Sequence, residues 1–286
     1  MCDQDQFEHD RLEYEARGLV TRRQFGVLLG AGVSMMLPRV AGAVTVTQSD
    51  VSITTPDGTC DAFFVHPATG QSPAVLVWPD IFGLRPAFRQ MGTRLAESGY
   101  AVLVVNPFYR VKKAPTAEQG GATPIDQVRP LAQGLNEATH MTDAKAFIAW
   151  LDQQKPVARG RKVGTQGYCM GGPMAFRTAA AVPDRVGAVA SFHGGGLVTQ
   201  APNSPHLQAA ATRAQFLVAI AENDDKRAPT EKDALRETFT KANLPAEIEV
   251  YAAAHGWCPP DSRVYNEPLA EKAWARLLAL YAKALV

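Results

Sequence analysis

The sequence of 286 residues lacks several features that mark particular classes of protein. Lysine and arginine exceed aspartate and glutamate by a net charge of only +1, so there is no basic surplus of the kind that binds nucleic acid. Four cysteines are too few for a disulfide scaffold. With 46% hydrophobic and 20% charged residues, the chain is neither disordered nor a polytopic membrane protein. Because these classes are excluded, we expect a globular protein that is long enough to bury a sizeable hydrophobic core.

Motifs for metals and nucleotides are missing as well. The six histidines are scattered, and no Cys/His spacing suits zinc, so we expect no metal and no other cofactor. The run Gly194-Gly195-Gly196 alone is too weak a pattern for a nucleotide-binding loop. We therefore expect the chemistry of this protein to come from its own side chains.

Residues 1–43 have the features of a twin-arginine export signal. Arg22 and Arg23 precede an apolar, glycine- and alanine-rich run over residues 26–37. That run holds about twelve apolar residues, whereas a membrane-spanning helix needs roughly 20. We therefore predict that a bacterial export machinery binds this segment, and an uncleaved membrane anchor is the alternative.

The predicted signal ends at a cleavage site. The small residues Ala41 and Ala43 fit the A-x-A pattern that signal peptidases recognise. Cleavage there would release residues 44–286 into the periplasm, with no stable membrane association afterwards. It would also leave an odd number of cysteines in an oxidising compartment, which implies at least one free thiol or an intermolecular bond.

The chain after residue 43 alternates strand and helix patterns without an internal repeat. Strands are expected at 44–54, 59–66, 74–78, 100–105, 162–166, 187–192, 216–221 and 247–251, and helices at 86–98, 139–154, 171–181, 231–242 and 269–284. Residues 107–136, rich in proline, glycine and glutamine, are expected to form a loop or lid. The alternation predicts one α/β domain with a mostly parallel sheet of about eight strands and helices on both faces.

The candidate nucleophile is Cys169, in the strand–turn–helix sequence Gly167-Tyr168-Cys169-Met170-Gly171. This pattern is a nucleophile elbow with cysteine in place of serine. Glycine on either side relieves steric clashes in a sharp turn, and a helix N-terminus favours a thiolate. The Met170 N–H would supply half of an oxyanion hole. The alternative is a glycine-rich turn that buries a structural cysteine.

An elbow of this kind requires an acid and then a histidine later in the chain. Asp224 and Asp225 directly follow a predicted strand, and His255 follows the next one. The spacing fits one strand–helix unit between acid and histidine. Both aspartates are candidates for the acid, and His255 is the candidate base.

Two further segments bear on the oxyanion hole. The sequence His193-Gly194-Gly195-Gly196 looks like the oxyanion motif of lipases, but it follows the nucleophile instead of preceding it. We therefore interpret His193 as a structural or pocket-lining residue. The expected position for the second donor is just after the strand that ends near Trp78, and there the Ile81 N–H is the candidate.

From about residue 51 to residue 285 the chain resembles the dienelactone hydrolases (carboxymethylenebutenolidases) of the α/β-hydrolase superfamily. The resemblance rests on Asp80-Ile81-Phe82-Gly83, Gly167-Tyr168-Cys169-Met170-Gly171-Gly172, Ala221-Glu222-Asn223-Asp224 and His255-Gly256-Trp257. Cysteine in the elbow is the specific part, since most of the superfamily has serine there. The resemblance implies an α/β-hydrolase fold and a triad of cysteine, histidine and aspartate.

The resemblance does not choose between the two aspartates. The family's glycine–aspartate spacing favours Asp224, with Ala221 in place of the glycine, and we take Asp224 as the acid. The family's aspartate–proline spacing, counted back from Pro229, favours Asp225 as the alternative.

The resemblance also implies roles around the substrate. Asp80 stands where the family has a glutamate that modulates the resting thiol. Arg110 matches one of two arginines that bind the substrate carboxylate, and Trp257 is expected to contact substrate. Pro259 occupies the place of the second arginine, for which Arg263 is the nearest substitute.

The expected function is hydrolysis of a small carboxylic ester or lactone through an acyl-enzyme intermediate. One alternative is a non-catalytic periplasmic ligand-binding protein on a hydrolase fold. Another is a thiol redox protein that uses Cys169 with Cys258. Cys258 could instead pair with Cys60 or remain free.

Overall fold

A computed structural model describes residues 4–20, 37–120 and 122–286. The predicted export motif Arg22-Arg23 and nearly all of the apolar run after it lie outside these ranges. Within them, no helix combines the length and the apolar character needed to cross a membrane.

The centre of the described chain is a sheet of eight strands. The strands are β1 (Val46–Thr55), β2 (Gly58–Pro67), β3 (Ala74–Trp78), β4 (Ala101–Val105), β5 (Val163–Tyr168), β6 (Val186–Phe192), β7 (Gln215–Ala221) and β8 (Ala246–Tyr251). Their spatial order is β1-β2-β4-β3-β5-β6-β7-β8. Strands β1 and β2 are antiparallel, β2 is antiparallel to β4, and all the other pairs are parallel.

Helices connect and cover these strands. They are α1 (Gln4–Ala16), α2 (Pro86–Glu97), α3 (Ile125–Val128), α4 (Glu137–Leu151), α5 (Gly171–Ala181), α6 (Pro205–Ala210), α7 (Glu222–Arg227), α8 (Glu231–Lys241) and α9 (Glu267–Ala284). The sequence predicted the five long helices that follow residue 43. It did not predict α3, α6 and α7, because four to six residues are too few to show a helical period.

The hydrophobic core lies on both faces of the sheet. Along β3, Leu76 and Trp78 belong to one cluster, and Val75 and Val77 belong to the other, as the two-residue period of a strand requires. Helices α4, α5 and α8 cover the first face, and α2 and α9 cover the second. The predicted α/β fold, with a mostly parallel sheet between two helical layers, is confirmed.

Helix α1, which belongs to the predicted export signal, packs against this domain. Tyr14 is only 1% exposed and lies in a small cluster with Ala254 and Val264. Its hydroxyl donates a hydrogen bond of 2.7 Å to Glu222. Burying an aromatic ring with its hydroxyl satisfied stabilises this contact, which no sequence pattern indicated.

Candidate active site

The candidate residues meet at the carboxyl ends of adjacent parallel strands. Trp78 at the end of β3 pairs with Gly167 of β5, so these strands end side by side. Ile81 follows β3, Cys169 follows β5 and His255 follows β8. The carboxyl edge of a parallel sheet is where open α/β folds place their ligands.

The Cys169 turn is tight and depends on its glycines. Cys169 has a φ of +52°, in the left-handed region that non-glycine residues rarely adopt. A Cβ on Gly167 would lie 1.9 Å from the Gly171 carbonyl oxygen, and one on Gly171 would lie 2.4 Å from the Trp78 carbonyl oxygen. The Cys169 N–H donates to the carbonyl of Phe192 at 3.0 Å. The predicted elbow geometry is therefore present.

The same packing places the two segments that carry the candidate oxyanion donors beside each other. Gly171 begins α5 and approaches the carbonyl groups of Trp78 and Pro79, so the segment that carries Ile81 lies beside the start of this helix. Met170 directly precedes the helix and has helical backbone angles. An oxygen near Cys169 would therefore meet the N-terminal end of α5, where partial positive charge accumulates.

His255 is paired with one of the two candidate aspartates. Its Nδ1 lies 2.7 Å from Oδ2 of Asp224. The Asp225 carboxylate instead accepts a hydrogen bond of 2.7 Å from Lys232 Nζ. The structure thus brings Asp224 to the histidine and turns Asp225 towards helix α8, in agreement with the choice of Asp224.

The electrostatic environment of His255 favours its protonated form. Burial opposes the charge, but the Asp224 carboxylate and the Cys169 side chain outweigh it and hold the pKa of His255 well above its ordinary value. Nε2 of His255 is buried, and no atom of the described residues lies at the distance and angle of a standard hydrogen bond to it. This nitrogen is therefore available to a reacting group.

A cavity of about 640 Å³, counted out to its open mouth, adjoins these residues. It is lined by Asp80, Ile81, Phe82, Arg85, Gly120, Thr123, Ile125, Cys169, His193, His255, Gly256, Ser262 and Arg263. Gly120, Thr123 and Ile125 belong to the segment predicted as a loop or lid, so this segment forms one wall of the cavity.

Comparison with known proteins agrees with the fold and the motifs. Residues 60–285 match the model of the dienelactone hydrolase family. The chain belongs to this family. It is 30% identical over 200 residues to a carboxymethylenebutenolidase of Rhodococcus opacus, covering 68% of this chain and 74% of that one. It is also 30% identical over 220 residues to a Synechocystis sp. protein provisionally given the same name, covering 75% and 87%.

Solved structures share the fold. The crystal structure of a protein from Klebsiella pneumoniae, provisionally named a dienelactone hydrolase, aligns with a TM-score of 0.71 at 23% identity. The alignment covers 84% of this chain and 99% of that one. The protein described here is therefore a hydrolase with the α/β-hydrolase fold.

In this dienelactone hydrolase family member, Asp80 belongs to a buried ionic cluster that the sequence did not reveal. Both oxygens of Asp80 accept hydrogen bonds from Arg85, at 2.6 and 2.9 Å. Arg85, 1% exposed, also donates to Asp261 at 2.6 and 2.9 Å. Among the described residues, no hydrogen bond joins Asp80 to Cys169, so the expected effect of Asp80 on the thiol remains a prediction.

The predicted substrate contacts of Arg110 and Trp257 do not agree with the structure. The Arg110 guanidinium is held by Asp57 at 2.6 Å and by Asp143 at 2.7 Å, and Arg110 is not part of the cavity lining. Trp257 is fully buried and stacks on Tyr251. Both side chains are committed to contacts within the protein, whereas Arg263, the alternative arginine, does line the cavity.

His193 lines the cavity beside His255, in agreement with its interpretation. Its ring centroid lies 4.9 Å from that of His255, and Trp257 supports it from behind at 5.1 Å. Burial and the charge of His255 lower the pKa of His193 well below its ordinary value. Neither of its ring nitrogens has a hydrogen-bond partner among the described residues. His193 is therefore a neutral polar group facing the cavity.

The other two cysteines of the described chain are unpaired and buried. Cys60 belongs to the core cluster on one face of the sheet, and Cys258 belongs to the cluster on the other face. Burial raises the pKa of both thiols. The sheet separates them, and as protonated thiols they are poor nucleophiles. This gives no support to a Cys60–Cys258 bond or to Cys258 as a redox partner.

Proposed function

We propose that this hydrolase cleaves small carboxylic esters or lactones through a triad of Cys169, His255 and Asp224. The observation that carries the proposal is the contact of 2.7 Å between His255 and Asp224, together with the interaction of the Cys169 side chain with the same imidazole. The left-handed backbone of Cys169 supports the proposal, because strain of this kind concentrates at functional sites.

Acylation follows from this arrangement. His255 takes the thiol proton, and the Cys169 thiolate forms a bond to the substrate carbonyl carbon. The carbonyl electron pair moves onto oxygen, where the N–H groups of Met170 and Ile81 stabilise the negative charge. When the intermediate collapses, the C–O bond to the leaving group breaks and the departing alkoxide takes the proton from His255. The product of this step is a thioester on Cys169.

Deacylation uses the same groups in reverse. His255 accepts a proton from water, and the hydroxide oxygen attacks the thioester carbonyl. The C–S bond breaks, Cys169 leaves as a thiolate, and the carboxylic acid departs. Asp224 holds the imidazole in the orientation that both steps need and stabilises its charged form.

The charges at the cavity favour substrates that carry no carboxylate of their own. All five N–H donors of Arg85 are engaged, four by Asp80 and Asp261 and one by the Gly83 carbonyl at 3.3 Å. This arginine therefore cannot hold a substrate carboxylate without breaking an existing bond. Arg263, the other arginine of the cavity lining, is itself paired with Glu8. We propose neutral esters and lactones as the substrate class.

We further propose export through the twin-arginine route, with release into the periplasm by cleavage after residue 43. The paired arginines Arg22 and Arg23, followed by a short apolar run, support this proposal. Fractionation of expressing cells, with mass spectrometry of the periplasmic protein, tests this. A protein confined to the cytoplasm with residues 1–43 intact would contradict it.

The central experiment is a screen of neutral aryl esters, lactones and thioesters with wild type, Cys169→Ala and Cys258→Ala. Wild type and Cys258→Ala are expected to turn over the same substrates, because Cys258 is a buried thiol away from the cavity lining. Cys169→Ala is expected to be inactive. Turnover that survives Cys169→Ala would refute the assigned nucleophile, and wild-type inactivity on every ester would refute the proposed function.

A further inference from the structure

Helix α1 contacts both segments that carry the candidate acid and histidine. The buried Tyr14 packs against Ala254, which directly precedes His255. Its hydroxyl reaches Glu222, two residues before Asp224, and Arg17 pairs with the same glutamate at 2.6 Å. The helix thus bridges the end of β7 and the end of β8.

Asp10 of this helix reaches the backbone of His255 through one intermediate side chain. Oδ2 of Asp10 accepts a hydrogen bond of 2.7 Å from Nδ2 of Asn223. Oδ1 of the same asparagine accepts the backbone N–H of His255 at 2.8 Å. Asp10 is 9% exposed and Asn223 is 5% exposed, so water competes little with these bonds.

Asp10 also reaches the candidate acid by a second route. Arg227 donates to Oδ2 of Asp10 through one nitrogen and to Oδ1 of Asp224 through the other, at 3.2 Å. The other oxygen of Asp224 is the one that contacts His255. Arg227 is therefore shared between two carboxylates, and Asp10 limits how strongly it can neutralise Asp224.

We propose that Asp10 is a positioning residue for the Asp224–His255 pair, acting through Asn223 on the histidine backbone and through Arg227 on the charge of Asp224. The proposal rests on the proposed function of that pair. Without the Asp10 carboxylate, Arg227 moves fully onto Asp224, and the Asn223 amide loses the bond that fixes its rotation. Since Asp10 precedes the predicted cleavage site, cleavage after residue 43 would have the same effect.

The direction of the change follows from the charges around the pair. His255 faces Asp224, Cys169 and His193, and Asp224 also faces Arg227 and Glu231. A stronger Arg227–Asp224 contact stabilises the imidazolium less, so the pKa of His255 falls. The limb of the pH–rate profile that reports His255 then moves to lower pH, whether His255 acts first as a base or as the imidazolium of an ion pair.

The test uses the full chain, with retention of residues 1–43 verified by mass. Asp10→Asn is compared with Glu15→Gln, which removes the same charge from α1 but loses only a contact with Arg11 of the same helix. Asp10→Asn is expected to lower kcat about tenfold with KM changed less than about twofold, because a displaced base slows the chemical step more than binding. Glu15→Gln is expected to behave as wild type.

An NMR titration of the His255 imidazole provides a readout that does not need turnover. We expect its pKa to fall in Asp10→Asn and not in Glu15→Gln. If wild type hydrolyses no ester, the proposed function fails, while the titration still decides whether Asp10 acts on His255. An unchanged His255 titration together with an unchanged kcat in Asp10→Asn would overturn the inference.

A double variant separates positioning from simple undocking of α1. If Asp10 acts through Arg227, the shift in the His255 titration caused by Asp10→Asn disappears in an Arg227→Gln background. A shift of the same size in both backgrounds would contradict the Arg227 route and assign the effect to Asn223 or to loss of the helix contact.

Discussion

His255 and Asp224 share a hydrogen bond of 2.7 Å, while the neighbouring Asp225 is bound to Lys232. Adjacent residues in the first turn of a helix point in directions about 100° apart, so only one of them can face the histidine. Helix α7 starts immediately after β7, and this start places Asp224 towards β8 and Asp225 towards α8. The contact orients the imidazole and leaves its other nitrogen for the cavity.

Substitution of the two aspartates should have very different effects. Asp224→Asn is expected to lower kcat/KM by about 10³- to 10⁴-fold, because the amide can neither fix the required tautomer nor stabilise the imidazolium. Asp225→Asn, the matched control, loses only a surface ion pair with Lys232 and should stay within about threefold of wild type. Steady-state kinetics on an active aryl ester measures both, and equal losses would contradict the assignment of the acid.

Gly167 should not tolerate a side chain. A Cβ at this position would lie 1.9 Å from the Gly171 carbonyl oxygen, a backbone atom that cannot move without opening the turn. We expect Gly167→Ala to lower the free energy of unfolding by at least about 2 kcal/mol and to abolish activity. Gly195→Ala is the control, since nothing lies within 4 Å of its Cβ and its φ is not positive. Thermal and urea unfolding would compare the two, and a stable, active Gly167→Ala protein would refute the elbow geometry.

Acid should destabilise the protein through His140 on helix α4. Burial, with Arg177 and Arg110 nearby, lowers the pKa of His140 to about 3. In the unfolded chain its pKa is near 6.5, so the stability it contributes is complete above about pH 6.5 and is lost as the pH falls towards 3. The loss by pH 4 is about 3 kcal/mol for this group.

The variant His140→Gln should remove that acid sensitivity. Urea unfolding of wild type and variant between pH 4 and pH 8 gives the test, and the difference in their free energies of unfolding should favour the variant progressively below about pH 6.5. A difference that does not change with pH would show that the pKa of His140 is the same in the folded and the unfolded protein, which contradicts its burial as a neutral group.

Charge on the substrate should reduce turnover. With Arg85 fully engaged by Asp80 and Asp261, an ester that carries a carboxylate should have a kcat/KM about tenfold lower than its neutral isostere. Arg110→Gln should leave KM unchanged for both esters, because Arg110 pairs with Asp57 and Asp143 outside the cavity lining. A selective rise in KM for the charged ester in Arg110→Gln would restore Arg110 as a substrate-binding residue.

Much of this protein can be predicted from its sequence, because the relevant signals are local. Strand and helix periods predict the α/β fold, and Gly167 and Gly171 around Cys169 predict the elbow, since the turn itself requires those residues. The order of nucleophile, acid and histidine predicts His255, because successive parallel strands end at the same edge of the sheet. These inferences need only neighbouring residues and the connectivity of the chain.

The remaining features depend on contacts between distant parts of the chain. Arg85 and Asp261 are separated by 176 positions, and only the folded loops bring the two buried charges together. Arg110 occupied a plausible position in the sequence, yet the carboxylates of Asp57 and Asp143 draw it into another cluster. Helix α1 carried no signal of its own beyond a polar leader, and its place beside Asn223 depends on the packing of Tyr14 against Ala254 and Val264. The sequence alone determined the helices and strands and the order of nucleophile, acid and histidine along the chain. Tertiary packing decided which charged side chains pair with one another. Buried charges must be paired, and the partner of each one depends on the whole fold.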